Sequence, residues 1–187
     1  MVNVRFARAR FSRIAGAIAL ITPLAMTPAP VAAQDTQFVD AGQSAQARTD
    51  MTEVFGVDTL DAGQFRWASD IPASGPTKVV ISLTDQMGYV YRAGQLIGVT
   101  TLSSGKLDHE TPTGVFPILG KEKVHHSKNY DNASMPYMQR LNMYGVALHG
   151  GNNPGYPASH GCVRLPMKFA ARLFELTSMG TPVIIET

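Results

Sequence analysis

The segment from Thr77 to Leu102 restricts the fold more than any other part of the chain. Lys78-Val79-Val80-Ile81-Ser82-Leu83 has the β-branched density of a half-buried strand. Gly88 to Arg92 and Gln95 to Leu102 read as two more strands, and Ala93-Gly94 between them is a short turn of hairpin type. Downstream, Thr111-Pro112-Thr113-Gly114 is a further turn, leading into Val115-Phe116-Pro117-Ile118. Tyr144 to His149 is again apolar and strand-like, and Thr181 to Glu186 reads as a closing strand. One helix stands out, Pro166 to Ser178. Pro166 suits a first helical turn, Phe169, Leu173 and Leu176 recur at helical spacing, and Gly180 fits the C-terminal stop. Residues 120–140 carry Lys, His, Asn and Asp with little periodicity and read as a long loop, a length that points to function in a compact domain. The 17 Gly and 12 Pro suit turns rather than a helical bundle. The expected fold class is mainly β, a sandwich or closed sheet of mostly antiparallel strands with one packed C-terminal helix.

Two stretches precede this domain. Arg5, Arg8, Arg10 and Arg13 lead into an apolar run from Ile14 to Met26, and Val31-Ala32-Ala33 follows. A basic segment, a short apolar segment and small residues at a cleavage site define a secretory signal peptide, so cleavage is expected after Ala33. The run is short for a membrane span and Pro23 interrupts it, which weighs against a retained anchor. Losing residues 1–33 removes four Arg and no acid. The formal charge then moves from +2 to −2, twelve Lys and Arg against fourteen Asp and Glu. Nucleic-acid or membrane-surface binding through bulk positive charge is therefore not supported. Residues 34–76 are rich in Gln, Asp, Ala, Ser, Thr and Gly. Their first half reads as a poorly ordered linker; their second half is expected to pack onto the domain through Phe65 and Trp67.

A single cysteine in an exported chain cannot build an internal disulfide framework. It pairs with another chain, is buried and inert, or is a reactive thiol. Cys162 sits in Ser159-His160-Gly161-Cys162-Val163-Arg164, downstream of Leu148-His149-Gly150-Gly151. A thiol becomes a good nucleophile on deprotonation, which an imidazole can assist and an Arg can favour. Gly161 permits a tight turn and lets a substrate carbonyl approach backbone N–H groups, the elements of an oxyanion hole. Either His160, two residues from Cys162 on an extended segment, or His149, at the end of a strand, could be the base. Zinc is the competing use of His149, His160 and Cys162, but no Cys-x-x-Cys or His-x-x-x-His spacing supports it, so no metal site is expected. His125 and His126 in the long loop are read as solvated, Met135, Met138 and Met143 as apolar packing, and Thr111 to Gly114 as a structural turn.

This stretch resembles the catalytic domain of the YkuD-type L,D-transpeptidases, whose signature is a His-Gly followed by Ser/Thr-His-Gly-Cys. The likeness continues upstream through Val80 to Tyr91 with Gln86, Ser103-Ser104-Gly105-Lys106, Thr111-Pro112-Thr113-Gly114-Val115-Phe116 and Met135-Pro136-Tyr137, and covers residues 77–187. The resemblance implies an L,D-transpeptidase-like β-sandwich with Cys162 as nucleophile and His149 as proton donor and acceptor. It implies that the Gly150 carbonyl orients the imidazole and that His160, Gly161 and Ser159 shape the pocket and oxyanion site. Tyr137 belongs with these substrate-side residues, and Arg164 holds the motif or contacts a substrate carboxylate. The nine residues Gly150 to Ala158 between His149 and Ser159 are fewer than the family often has, which implies a trimmed loop and altered substrate access.

The activity so implied is acyl transfer on bacterial peptidoglycan in the cell envelope, with the periplasm favoured. Cys162 attacks the third-residue carbonyl of a stem tetrapeptide, an L-centre diamino acid, and releases D-Ala. The acyl group then passes to an amine of another stem peptide or of an envelope protein. That chemistry needs no cofactor, and carbapenems are expected to form a covalent adduct on Cys162. Two other classes remain beside it: an L,D-carboxypeptidase, in which water resolves the acyl-enzyme, and a non-catalytic wall-binding module.

Overall fold

The computed structural model describes residues 42–187; the signal-peptide reading of residues 1–33 lies outside them. In chain order the elements begin with α1 (Gln43–Phe55), β1 (Phe65–Trp67), β2 (Thr77–Ser82), β3 (Met87–Arg92), β4 (Gln95–Thr101) and β5 (Gly114–Pro117). They continue with β6 (Gly120–Glu122), β7 (Met138–Arg140), β8 (Ala147–Gly150), β9 (Val163–Leu165), α2 (Met167–Leu176) and β10 (Pro182–Glu186). The result is mainly β, with two mixed sheets: a six-stranded one ordered β1-β4-β3-β2-β10-β5 and a four-stranded one ordered β6-β7-β8-β9. Pairing is antiparallel except for β10 with β2 and β8 with β9, which run parallel.

The hairpin between β3 and β4 forms because Ala93 (φ 51°) and Gly94 (φ 80°) both take left-handed backbone, as a two-residue turn matched to strand twist requires. The four central strands β4, β3, β2 and β10 are buried on both faces, which explains their apolar runs. Val79, Ile81, Val90, Ile97, Val183 and Ile185 point into the main core with Leu148, Val163 and Leu165 of the second sheet and Phe169 and Leu173 of α2. The alternate residues Val80, Tyr89, Tyr91, Leu96, Val99 and Ile184 face the other way.

That second face is covered by α1, where the sequence suggested poorly ordered chain. Ala47 and Met51, one helical turn apart, are fully buried against it. The Tyr91 hydroxyl donates to Asp50 at 2.5 Å, and Arg48 meets Asp85 at 3.3 Å. Gly56 closes the helix in left-handed conformation (φ 66°), its N–H on the Thr52 carbonyl. The helix carries few apolar residues and exists because tertiary packing supports it. Burying Met51 alone contributes roughly 1.5–3 kcal/mol. Trp67 stacks on Phe169 at 4.5 Å between ring centres, so the second half of the extension joins the core as well.

Three further expectations shift. α2 ends at Leu176, not at a Gly180 cap. Thr177 turns extended, its N–H on the Leu173 carbonyl, and Gly180 (φ 84°) serves the following turn instead. Residues 120–140 begin and end in paired strands, β6 and β7, leaving 123–137 as the excursion between them. Strand β8 starts at Ala147 because the Asn142 side chain accepts the N–H groups of Tyr144 and Val146 and holds that stretch as a turn. Tyr144 is left 91% exposed.

Candidate active site

The four-stranded sheet turns one face to the core and the other to a cavity of about 890 Å³. Leu148 pairs with Val163 and both are fully buried in the core, so their neighbours point the opposite way. His149 lies level with Arg164, and Cys162, one residue before Val163, lies level with Ala147. The parallel pairing of β8 and β9 thus brings His149, Cys162 and Arg164 to one face, and all three line the cavity. The 123–137 excursion supplies another wall through residues such as His125, Tyr130 and Met135.

His149 is the histidine whose ring is fixed in one orientation. It is buried, and its Nδ1 lies 2.9 Å from the Gly150 carbonyl oxygen. A carbonyl only accepts, so Nδ1 carries the hydrogen and Nε2 of the neutral ring keeps a free lone pair. Burial pushes the imidazole below its ordinary pKa; the Gly150 carbonyl works against that, while Arg164 and His125 add to it. Burial pushes the Cys162 thiol up, against the Ala147 N–H and Arg164, which both favour the thiolate. Both shifts favour the uncharged forms, thiol and neutral imidazole.

His160 lines the same cavity but from an exposed position. Gly161 (φ 106°) breaks the extended alternation, and His160 is exposed, its ring 4.6 Å from Tyr130 and 4.8 Å from His109. Among the described residues no three His, Cys, Asp or Glu side chains converge as a metal site would need. Ser159 is buried and acts on the backbone: its hydroxyl donates to the Cys162 carbonyl at 2.5 Å and accepts the Gly161 N–H at 3.1 Å. The Gly161 amide is thereby committed internally, and its role is the turn. Tyr137, expected on the substrate side, does not line the cavity; it packs against the core with its ring 5.9 Å from Phe174 of α2. Met135 and Met138 are buried beside Cys162, whereas Met143 is 79% exposed at the cavity rim. His125 differs from the solvated reading: its Nδ1 meets Glu122 at 2.8 Å.

The upstream motifs clamp the nucleophile loop. Ser103 exchanges backbone hydrogen bonds with Arg164, and the Ser159 N–H donates to the Ser104 carbonyl. Gln86, buried, accepts the Ser104 N–H at 3.0 Å and donates to its hydroxyl at 2.8 Å. Thr111 accepts the Gly105 N–H at 2.8 Å and donates to the Gly161 carbonyl at 3.0 Å, tying three segments together. A Cβ on Gly105 would sit 2.0 Å from the His109 carbonyl oxygen, so this crossing admits only glycine. The short 150–158 loop lies away from the cavity beyond Asn152. Asn153 donates to Thr101, and a Cβ on Gly155 would meet Ala62 at 2.8 Å. Arg140 and Tyr130 are cavity-lining residues the sequence did not single out, and His109 packs edge-on against His160; only the register of β7 and the ring contacts of His160 reveal them.

The chain is similar in sequence and fold to known proteins. A protein of Bacillus licheniformis with the provisional name L,D-transpeptidase YkuD is 26% identical over 117 residues, 61% of this chain and 68% of its own. The crystal structure of an L,D-transpeptidase from Stackebrandtia nassauensis superposes with a TM-score of 0.57 at 26% identity, covering 74% of this chain and 65% of that one. LdtMt1 in complex with imipenem gives a TM-score of 0.54 at 25% identity, covering 58% of each chain. This chain thus spans less than two thirds of either solved structure. The family model of the YkuD L,D-transpeptidase catalytic domain matches residues 76–185, and the chain belongs to that family.

Proposed function

We propose that the protein is a peptidoglycan L,D-transpeptidase working by cysteine acyl transfer in the cell envelope. The observation that carries this reading is the shared face of β8 and β9. There Cys162 and His149 open into one cavity, with the imidazole held by the Gly150 carbonyl so that Nε2 is free. His149 Nε2 takes the thiol proton as sulfur attacks the carbonyl carbon of the stem peptide's third residue. The C–S bond forms, the tetrahedral intermediate collapses, and the C–N bond to D-Ala breaks as His149 returns its proton to the leaving amine. An acceptor amine attacks the thioester carbonyl and gives its proton to His149; the C–S bond breaks and His149 passes that proton to the departing sulfur, leaving the product amide and the Cys162 thiol. Arg164 steadies the thiolate or a substrate carboxylate. Because LdtMt1 is known in complex with imipenem, carbapenems are expected to acylate Cys162 here.

The test is incubation of purified protein with disaccharide-tetrapeptide, reading products by mass spectrometry beside Cys162→Ala. Cross-linked dimer from the wild type alone supports the reading. Tripeptide alone makes the protein a carboxypeptidase, and no product from either protein removes the transpeptidase assignment in favour of a binding module.

A further inference from the structure

Arg140 has no role in the mechanism above, yet its position is specific. It ends β7, level with Ala147 on β8 and with Gly120 on β6, and the β8–β9 register carried one residue back brings Cys162, just before β9, level with Ala147. Facing residues on neighbouring strands project to the same side. One row across the cavity face therefore reads Gly120, Arg140, Ala147, Cys162. The row holds a single long side chain, because Gly120 and Ala147 leave the space beside it open. The guanidinium leans over Gly120, its Nη2 3.3 Å from where a Cβ there would stand. Among the described residues it pairs with no carboxylate, although two acids line the same cavity. Glu122 is engaged by His125, and Asp131 forms no ion pair.

We infer that Arg140 binds a carboxylate at the far end of the third-residue side chain, so that the donor is selected for a diamino acid bearing a second, terminal carboxylate. The inference rests on the transpeptidase reading and specifies its substrate. The distances agree. Arg140 stands two strand spacings and Gly120 three from Cys162, so the guanidinium lies roughly 10–14 Å along the row. From the attacked carbonyl carbon to such a carboxylate is six C–C bonds, roughly 7–8 Å when extended. A guanidinium–carboxylate pair adds roughly 4 Å between carbon centres. A lysine at the same place would instead bring an ammonium toward the guanidinium, and an amidated carboxylate would lose the charge.

The test compares kcat/KM of the purified protein on disaccharide-tetrapeptides whose third residue has the free side-chain carboxylate, the same carboxylate amidated, or a lysine side chain. Wild type is expected to favour the free acid by about 10–100-fold. In Arg140→Gln the ratio of free acid to amide should collapse to about threefold or less, with the loss carried by KM. Arg140→Lys should keep an intermediate ratio, since an ammonium preserves charge but not the planar fork. A thermal midpoint for each variant checks the fold. A wild type without preference, or an Arg140→Gln variant that keeps the wild-type ratio, overturns the inference while leaving transpeptidation standing. Absence of any Cys162-dependent product from wild type on all three substrates overturns both.

Discussion

Replacing Thr111 by Val tests whether the turn before β5 holds the nucleophile loop. The two side chains are nearly the same shape, so the change removes a hydroxyl and little else. In the native protein Thr111 is 4% exposed, and its oxygen serves two backbone groups, the Gly105 N–H at 2.8 Å and the Gly161 carbonyl at 3.0 Å. Both glycines are buried, so neither group finds water when the hydroxyl goes. An orphaned buried backbone group costs about 1–3 kcal/mol, so the pair predicts about 2–6 kcal/mol of lost stability. That is a large share of the roughly 5–15 kcal/mol that holds a typical domain together. Thr111→Ser keeps both hydrogen bonds and gives up one methyl, for about 1 kcal/mol. Urea unfolding, with midpoints compared at equal slope, separates the two variants. Because Gly161 precedes Cys162, the Val variant should also lose about 10–100-fold in the rate of imipenem acylation, the scale of a small misplacement of a reacting group. A Val variant within about 0.5 kcal/mol of wild type, with acylation unchanged, would refute the clamp, because that is the range of an indifferent surface change. Lost stability with normal acylation would instead show that Ser159 alone aligns the loop.

Three further outcomes can be stated. Since burial holds the Cys162 thiol above its ordinary pKa and His149 below its own, iodoacetamide alkylation of Cys162 should keep rising through the alkaline range; a plateau already reached in mild acid would mean a preformed thiolate–imidazolium pair. Met51→Ala, which empties the contact of α1 with the six-stranded sheet, should destabilise the protein by about 2–4 kcal/mol in urea unfolding, and a neutral result would mean that α1 is dispensable. Ser159→Ala orphans the Gly161 N–H and the Cys162 carbonyl together, and should lower kcat for dimer formation at least about tenfold with KM little changed; a change in KM alone would move Ser159 from alignment to substrate contact.

The central strands β2, β3, β4 and β10 were legible in the sequence because they are largely buried on both faces and so keep apolar density, as in Lys78 to Leu83, whereas the three-residue edge strand β1 was not. The helix α1 was not, because Gln43 to Phe55 has only two residues fully buried against the sheet and draws its order from contacts far along the chain, such as Asp50 with Tyr91. Local pattern carries no trace of such a partner. Gly180 misled for a related reason. A glycine just past a helix resembles a cap, but here Thr177 had already ended α2, and the left-handed backbone was needed for the turn into β10. Tyr137 shows the limit of carrying a role over by motif. Its left-handed backbone (φ 57°) sends the ring onto Phe174 rather than toward the cavity.

The site was legible as chemistry before it was legible as geometry. One cysteine and two nearby histidines pointed to thiol chemistry, but spacing left either histidine eligible as the proposed base. The decision comes from strand register. Gly161 turns His160 outward onto Tyr130 and His109, whereas the parallel pairing of β8 with β9 sets His149 level with Arg164 and on the same face as Cys162. What fixes that register is apolar. Val163 and Leu165 alternate with Cys162 and Arg164 along the strand, and both are fully buried against Leu148, Phe169 and Leu173. A slip of one residue would drive Cys162 and the Arg164 charge into that core and turn Val163 and Leu165 out into the cavity, an exchange far costlier than any contact within the site could repay. The core thus determines which side of the sheet Cys162 occupies, and the surrounding clamps need only adjust its distance from His149.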